Sequence, residues 1–305
     1  MVSSMAPIID CHVHSFMDWD RLRYTYPTGT IFHHPWTHTD YVKATSPSAL
    51  QPSGGFVYMS LVGLPPEQHI LQCELAQHEA ERLAAVGSGP LMLGIVTSAD
   101  VSQREGFGGF LDEVRAVAPL LCGVRPFPLP WDDPATIISA AREIQARGLA
   151  MDVLLAEQAQ LSELYAIAAA LPELPIVLNH FGFVKIPGGD LPDFEWWAAQ
   201  ITHLAALPNV MVKISGGQRA DHSVDARSAV RPFAAHAIRC FGYERCIFNG
   251  NWFVVDAQDG FFSYRAWAQF VDELLGELRA TEDERDWLLR RAGEHAYKVT
   301  ACGRS

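Results

Sequence analysis

Residues 7–13 read PIIDCHV and run directly into His14. The stretch is mostly apolar and continuous rather than alternating. Strands of that kind are buried on both faces, as parallel strands are when helices cover them. It closes on His12-Val-His14. Residues two apart in an extended strand project to one side, so both imidazoles are expected on one face at the strand end.

Seven further runs share this form: 56–62 (FVYMSLV), 91–97 (LMLGIVT), 121–125 (LCGVR), 149–155 (LAMDVLL), 175–180 (PIVLNH), 210–215 (VMVKIS) and 245–250 (RCIFNG). Stretches with helical spacing separate them, at 67–86, 109–118, 134–147, 161–171, 195–207, 226–241 and 262–278, and 281–297 closes the chain. Asp133 ahead of Pro134 is a capped helix start with proline in the first turn. Thr281 and Glu284 have the spacing of a capping box. Eight strand–helix alternations without a break in composition predict one α/β domain over 1–305, a (β/α)8 TIM-like barrel. The first connection, 15–55, is too long for a simple helix and is expected to form a lid loop after strand 1. A doubly wound open sheet wants a Gly-rich first turn, and DCHVH at 10–14 is nothing like one.

The 305 residues are 49% hydrophobic and 19% charged, which fits a large core and argues against extensive disorder. The formal net charge of −12 repels nucleic acid and anionic membrane, so the expected partner is a small molecule bound to a monomer or homodimer. Six cysteines form no C-x-x-C pair and read as buried free thiols of a cytoplasmic protein. The first ten residues carry no signal-peptide pattern, and no apolar window reaches 18 residues.

A barrel of this type carries its chemistry at the strand C-termini. Those ends supply His12 and His14, then Arg125, a bidentate clamp for a carboxylate or a structural ion pair. The fifth strand offers Asp152 but no His or Lys, the bridging ligand a two-metal site wants. The sixth ends in Asn179-His180, the seventh in Lys213 and Ser215, the eighth in Asn249-Gly250-Asn251-Trp252. The 15–55 segment adds FHHPWTH at 32–38, with His33, His34, Trp36 and His38, which also reads as a solvent-facing loop.

Five stretches, IIDCHVH (8–14), GVRPF (123–127), IVLNHFG (176–182), VMVKISG (210–216) and RCIFNGNWFVVD (245–256), together resemble the amidohydrolase superfamily. The likeness is to its single-domain amidohydrolase-2 branch, which includes sugar-lactone and muconolactone-type hydrolases, and it spans nearly the whole chain. The resemblance implies that His12, His14 and His180 stand in the site, with an acidic residue at the end of strand eight. Here the chain departs from the pattern, because Asn251 occupies the aspartate's place. An aspartate takes a proton from the attacking water and returns it to the leaving oxygen; an amide can only orient by hydrogen bonds. The base must then be His12, His14, His180 or one of His33, His34 and His38, or else a metal-bound hydroxide.

His12, His14 and His180 are also the candidate ligands for a single divalent ion, zinc above all. Because the branch includes metal-free enzymes, no obligatory cofactor is expected. The resemblance implies a hydrolase that opens a lactone of a sugar acid or ring-cleavage product. In it the three histidines polarise the carbonyl, Arg125 and Lys213 hold the substrate, Asn251 orients water, and Trp252, His34 and Trp36 line the site. The alternatives are a metal-dependent non-oxidative decarboxylase and a catalytically disabled binding protein.

Overall fold

The computed structural model describes residues 6–15, 18–22, 28–30, 33–101, 106–182, 192–216, 226–257 and 263–301. Eight short strands carry the fold: β1 (Ile9–Val13), β2 (Gly55–Met59), β3 (Met92–Ala99), β4 (Leu121–Pro126), β5 (Ala150–Val153), β6 (Ile176–Leu178), β7 (Val210–Ile214) and β8 (Cys246–Phe248). Each pairs in parallel with the next, in sequence order. The ring closes where Val13 bridges Trp252 and the His14 amide donates to the Trp252 carbonyl at 2.6 Å. This is the expected (β/α)8 barrel.

Helices α1 (Trp19–Leu22) and α2 (His38–Thr45) lie in the first connection. Then come α3 (Pro66–Val86), α4 (Phe107–Val117), α5 (Pro134–Ala146), α6 (Gln160–Ala169), α7 (Phe194–Ala205), α8 (Ala226–Phe241), α9 (Val254–Ala257), α10 (Tyr264–Glu277), α11 (Glu282–Asp286) and α12 (Ala292–Tyr297). Their ends follow local chemistry. Asp133 caps α5 and Thr281 caps α11 in a box with Glu284, each satisfying an amide that has no partner within its helix. Gly87 ends α3 at φ 65°, a left-handed turn that glycine adopts freely. Parts of the expected 15–55 lid lie outside the described residues.

The core has two shells. One lies between strands and helices. The other fills the barrel floor with Ile9, Cys11, Val57, Met59, Val96, Ala150, Val177, Met211 and Ile247, and is plugged from below by Ala292, Ala296 and Tyr297. Strand periodicity fixes the next level up. Two residues beyond Ala150, Val177, Met211 and Ile247 come Asp152, Asn179, Lys213 and Asn249, all buried. An apolar floor thus carries a polar layer directly above it.

Strand β1 breaks the simple alternation. Its pairing with β2 shifts register between Asp10 and Val13. The irregularity lets Cys11 sit in the floor while His12, its neighbour, reaches Lys213 in the lumen.

Gly250, just past β8, has no room for a side chain. A Cβ there would stand 2.2 Å from Tyr264 Cε2 and 2.8 Å from Asp10 Oδ2. Gly250→Ala is therefore expected to lower stability by at least about 1–3 kcal/mol through overpacking. An unchanged urea midpoint would contradict this close approach.

Candidate active site

His14 is the best-defined group in the lumen. Its Nδ1 lies 2.7 Å from the Met59 carbonyl. A carbonyl only accepts, so Nδ1 carries the proton and Nε2 of the neutral ring is a bare lone pair. That Nε2 stands 3.1 Å from His12 Nε2. On the far side of the His12 ring, the Lys213 ammonium donates to Nδ1 at 3.3 Å. His12 therefore holds its proton on Nε2, pointing at His14. A directed chain results: Lys213 to His12, His12 to His14, His14 to Met59.

Lys213 is anchored from below. Its ammonium donates to Asp152 at 2.6 Å, and both side chains are fully enclosed. The Tyr297 hydroxyl donates to the two Asp152 oxygens at 3.0 and 2.9 Å. The carboxylate thereby ties the C-terminal plug to the polar layer.

His180 sits at the end of β6 with φ 55°, followed by Phe181 at φ 57°. Two consecutive non-glycine residues in the left-handed region cost roughly 1–3 kcal/mol each. The turn is held by Trp197 Nε1 on the Phe181 carbonyl at 2.9 Å and by His180 Nδ1 on Ser215 Oγ at 2.7 Å. Asn249 Nδ2 donates to the same Ser215 oxygen at 2.6 Å. Ser215 Oγ keeps both a second lone pair and its own hydrogen, so this contact accommodates either tautomer of His180. The His180 and His12 rings lie 4.7 Å apart by centroid.

Arg125 completes the cluster. Its guanidinium bonds the Ser60 carbonyl and lies 3.4 Å from Ser98 Oγ. It is buried, and among the described residues it makes no ion pair. Burial, together with the nearby cations, keeps the histidines neutral. His12 and His180 are held well below the ordinary histidine range, first by burial and then by Lys213. His14 is pulled down to about 3 by burial and Arg125. Burial pushes Asp10 up to about 7 against the hydrogen bonds of Gly250, His12 and Tyr41.

The sequence model of the Amidohydro_2 family, described as amidohydrolase, matches residues 9–298 of this chain. The chain belongs to the amidohydrolase family. This amidohydrolase is 29% identical over 227 residues to the L-fucono-1,5-lactonase of Burkholderia ambifaria, covering 66% of this chain and 76% of that one. It is 36% identical over 136 residues to the uncharacterized protein y4mH of Sinorhizobium fredii, 44% of this chain and 43% of that relative's length. The amidohydrolase barrel also superposes on an amidohydrolase from Burkholderia multivorans, solved with bound zinc, with TM-score 0.75 and 21% identity over 96% of this chain and 100% of the other.

His12 Nε2 and His14 Nε2, 3.1 Å apart, are the two nitrogens that the described residues bring together for an ion. Among the described residues no group of three or more His, Cys, Asp or Glu side chains is placed to hold an ion. Two buried cations, Lys213 and Arg125, stand beside the pair and oppose a third.

The other residues singled out in the sequence are distributed as follows. Asn251 is buried at φ 53°, a conformation asparagine tolerates better than most residues. Trp252 is buried against Tyr41 at 5.3 Å, and Trp36 stacks on Phe253 at 5.3 Å. His34 is exposed, edge-on to Trp36. His38 stacks on Phe56, between α2 and the barrel. Lys213 lies one layer below the histidines, paired with Asp152 rather than open to a ligand. Sequence reasoning overlooked Asp10, whose contacts depend on the β1 irregularity, and Tyr297, which lies 145 residues from Asp152. No described helix is long and apolar enough to cross a membrane.

These shifts set an acid limit. Histidines that titrate near 6.5 when unfolded but far lower when folded give stability that is complete above pH 6.5 and lost as pH falls towards 3. For His14 alone, a shift to about 3 corresponds to roughly 5 kcal/mol. Asp10 acts in the opposite sense, its share being lost as pH rises through 7, but it is one group against three. Chelator-treated protein is expected to lose stability steadily from pH 6.5 to 4. A flat denaturation midpoint over that range would contradict neutral buried histidines.

Proposed function

We propose that this amidohydrolase is a lactone hydrolase that adds water to the ring carbonyl of a sugar-type lactone without an obligatory metal. One observation carries the reading: three neutral histidines, His12 and His14 with assigned tautomers, converge beside the buried Arg125 and Lys213. The likeness to an L-fucono-1,5-lactonase supports the same class.

For the reaction the direct His12–His14 hydrogen bond opens, and a water then accepts from His12 Nε2–H and donates to the His14 Nε2 that this frees. As its oxygen bonds to the carbonyl carbon, its proton passes to His14. The carbonyl π pair moves to oxygen, where His180, in its Nε2–H tautomer, and the Arg125 guanidinium stabilise the charge. The same negative charge raises the proton affinity of His14, so a weak base becomes adequate in the transition state. Collapse breaks the bond to the ring oxygen, which takes the proton from His14. The product is a hydroxy acid, which ionises and releases one proton. Asn251, an amide, orients water or substrate and carries no proton. Lys213 acts through His12 by fixing its tautomer.

The decarboxylase alternative needs a firmly held ion, and among the described residues no group of three or more His, Cys, Asp or Glu side chains is placed to hold one. The binding-protein alternative rests on Asn251 alone, whereas His14 offers a base that does not depend on it.

The test is proton release monitored by a pH indicator over aldonolactones, muconolactones and pyrone lactones. The protein is chelator-treated, assayed with and without zinc, and set beside Asn251→Asp. Turnover by the native chain, insensitive to chelation, is the expected result. Activity that appears only with zinc would overturn the metal-free chemistry. Activity confined to Asn251→Asp would overturn the role of His14. Silence from both would remove the lactonase reading.

A further inference from the structure

Asp10 precedes the histidines on β1 and is completely buried. One carboxylate oxygen accepts from the Gly250 amide at 2.8 Å and from the His12 amide at 3.2 Å. The other accepts from the Tyr41 hydroxyl at 3.1 Å. Three elements therefore meet on one side chain: the strand bearing His12 and His14, the loop bearing Asn249 and Asn251, and α2. The loop backbone approaches so closely that only glycine fits at 250.

The contact is expensive. A buried carboxylate must give up its hydration, and an apolar residue of similar size would serve the core better. What the carboxylate supplies that an apolar residue cannot is direction, because an amide of the strand-eight loop and an amide of β1 converge on one oxygen. A second link runs parallel to it. Trp36, just ahead of α2, stacks on Phe253, just after the loop. The Trp267 indole fixes the Asn249 carbonyl from outside at 3.1 Å. The loop is thereby held by α10 as well as by Asp10.

We propose that Asp10 is a positioning residue, which sets the strand-eight loop against His12 and extends that geometry to α2 through Tyr41. Its effect on rate rests on the lactonase reading; its effect on geometry does not.

The experiment compares Asp10→Ala, Asp10→Asn and Tyr41→Phe in the full chain. It reads amide hydrogen exchange at Gly250 and His12 together with kcat and KM on whichever lactone is turned over. Asp10→Asn keeps the oxygen that both amides need. In Asp10→Ala, both amides are expected to exchange at least about tenfold faster, with kcat falling on the order of 10²-fold and KM changing by less than about threefold. Asp10→Asn is expected to keep both amides protected and kcat within about fivefold of the parent, and Tyr41→Phe to keep Gly250 protected. A purely structural role would lower stability in Asp10→Ala yet leave kcat unchanged, and that result would overturn the proposal. So would equal losses in Asp10→Ala and Asp10→Asn. If Asp10→Ala does not fold, the decision rests on Asp10→Asn, where lost protection at Gly250 refutes the idea. If the parent turns over no lactone, the lactonase reading fails, while exchange at Gly250 and His12 still decides the positioning role.

Discussion

Replacing Lys213 with methionine is expected to destabilise the protein by about 3–5 kcal/mol, the usual effect of removing one partner of a buried ion pair. Lys213 and Asp152 are both fully enclosed, so water cannot enter to solvate the carboxylate left behind. Tyr297 still donates to Asp152, but the one hydroxyl hydrogen shared between its two oxygens does not neutralise a charge. The second consequence is chemical. Without the ammonium on Nδ1, nothing dictates the His12 tautomer, and its Nε2–H is no longer assured. The double change Lys213→Met with Asp152→Asn is expected to recover most of the stability, because the orphan charge is gone, but none of the activity. Urea denaturation and lactone turnover on the three proteins separate the two effects. Full activity in the stable double variant would refute the role given to Lys213.

His14→Gln is expected to lower kcat by roughly 10²–10⁴-fold with little change in KM, the range for losing a positioned general base. The Met59 carbonyl fixes the His14 proton on Nδ1 and leaves Nε2 an unprotonated acceptor, which faces His12. A glutamine amide can reach the same carbonyl but has no nitrogen lone pair to accept a proton. Binding should survive, because Arg125 and His180 are untouched. A variant within tenfold of the parent would mean that proton transfer runs through another group. The natural place to look would then be His180, whose tautomer depends on a rotatable hydroxyl.

Much of this architecture is legible along the chain. Continuous apolar runs this short, separated by helical stretches, read as doubly covered parallel strands, and the helix starts at Asp133 and Thr281 follow from hydrogen-bond arithmetic at helix ends. The strand-end positions of His12, His14, Arg125 and His180 likewise predict that they meet in the lumen. Other features are invisible there. Asp152 reads in sequence as a missing metal ligand, whereas in the barrel it is the counter-ion of a lysine two strands away and the acceptor for a tyrosine in the last helix. His12 should point away from the lumen if Cys11 points into it; the register shift between Asp10 and Val13 reconciles the two.

The amino-acid sequence by itself determined the barrel and the level of the lumen at which its chemistry sits. Burial and strand periodicity are local properties, written residue by residue. Only the tertiary structure decided which nitrogen of His12 and of His14 carries its proton, and that Lys213 is buried against Asp152 and His12. Tautomers and buried ion pairs depend on partners tens to hundreds of residues away, and no local pattern encodes the distance between them.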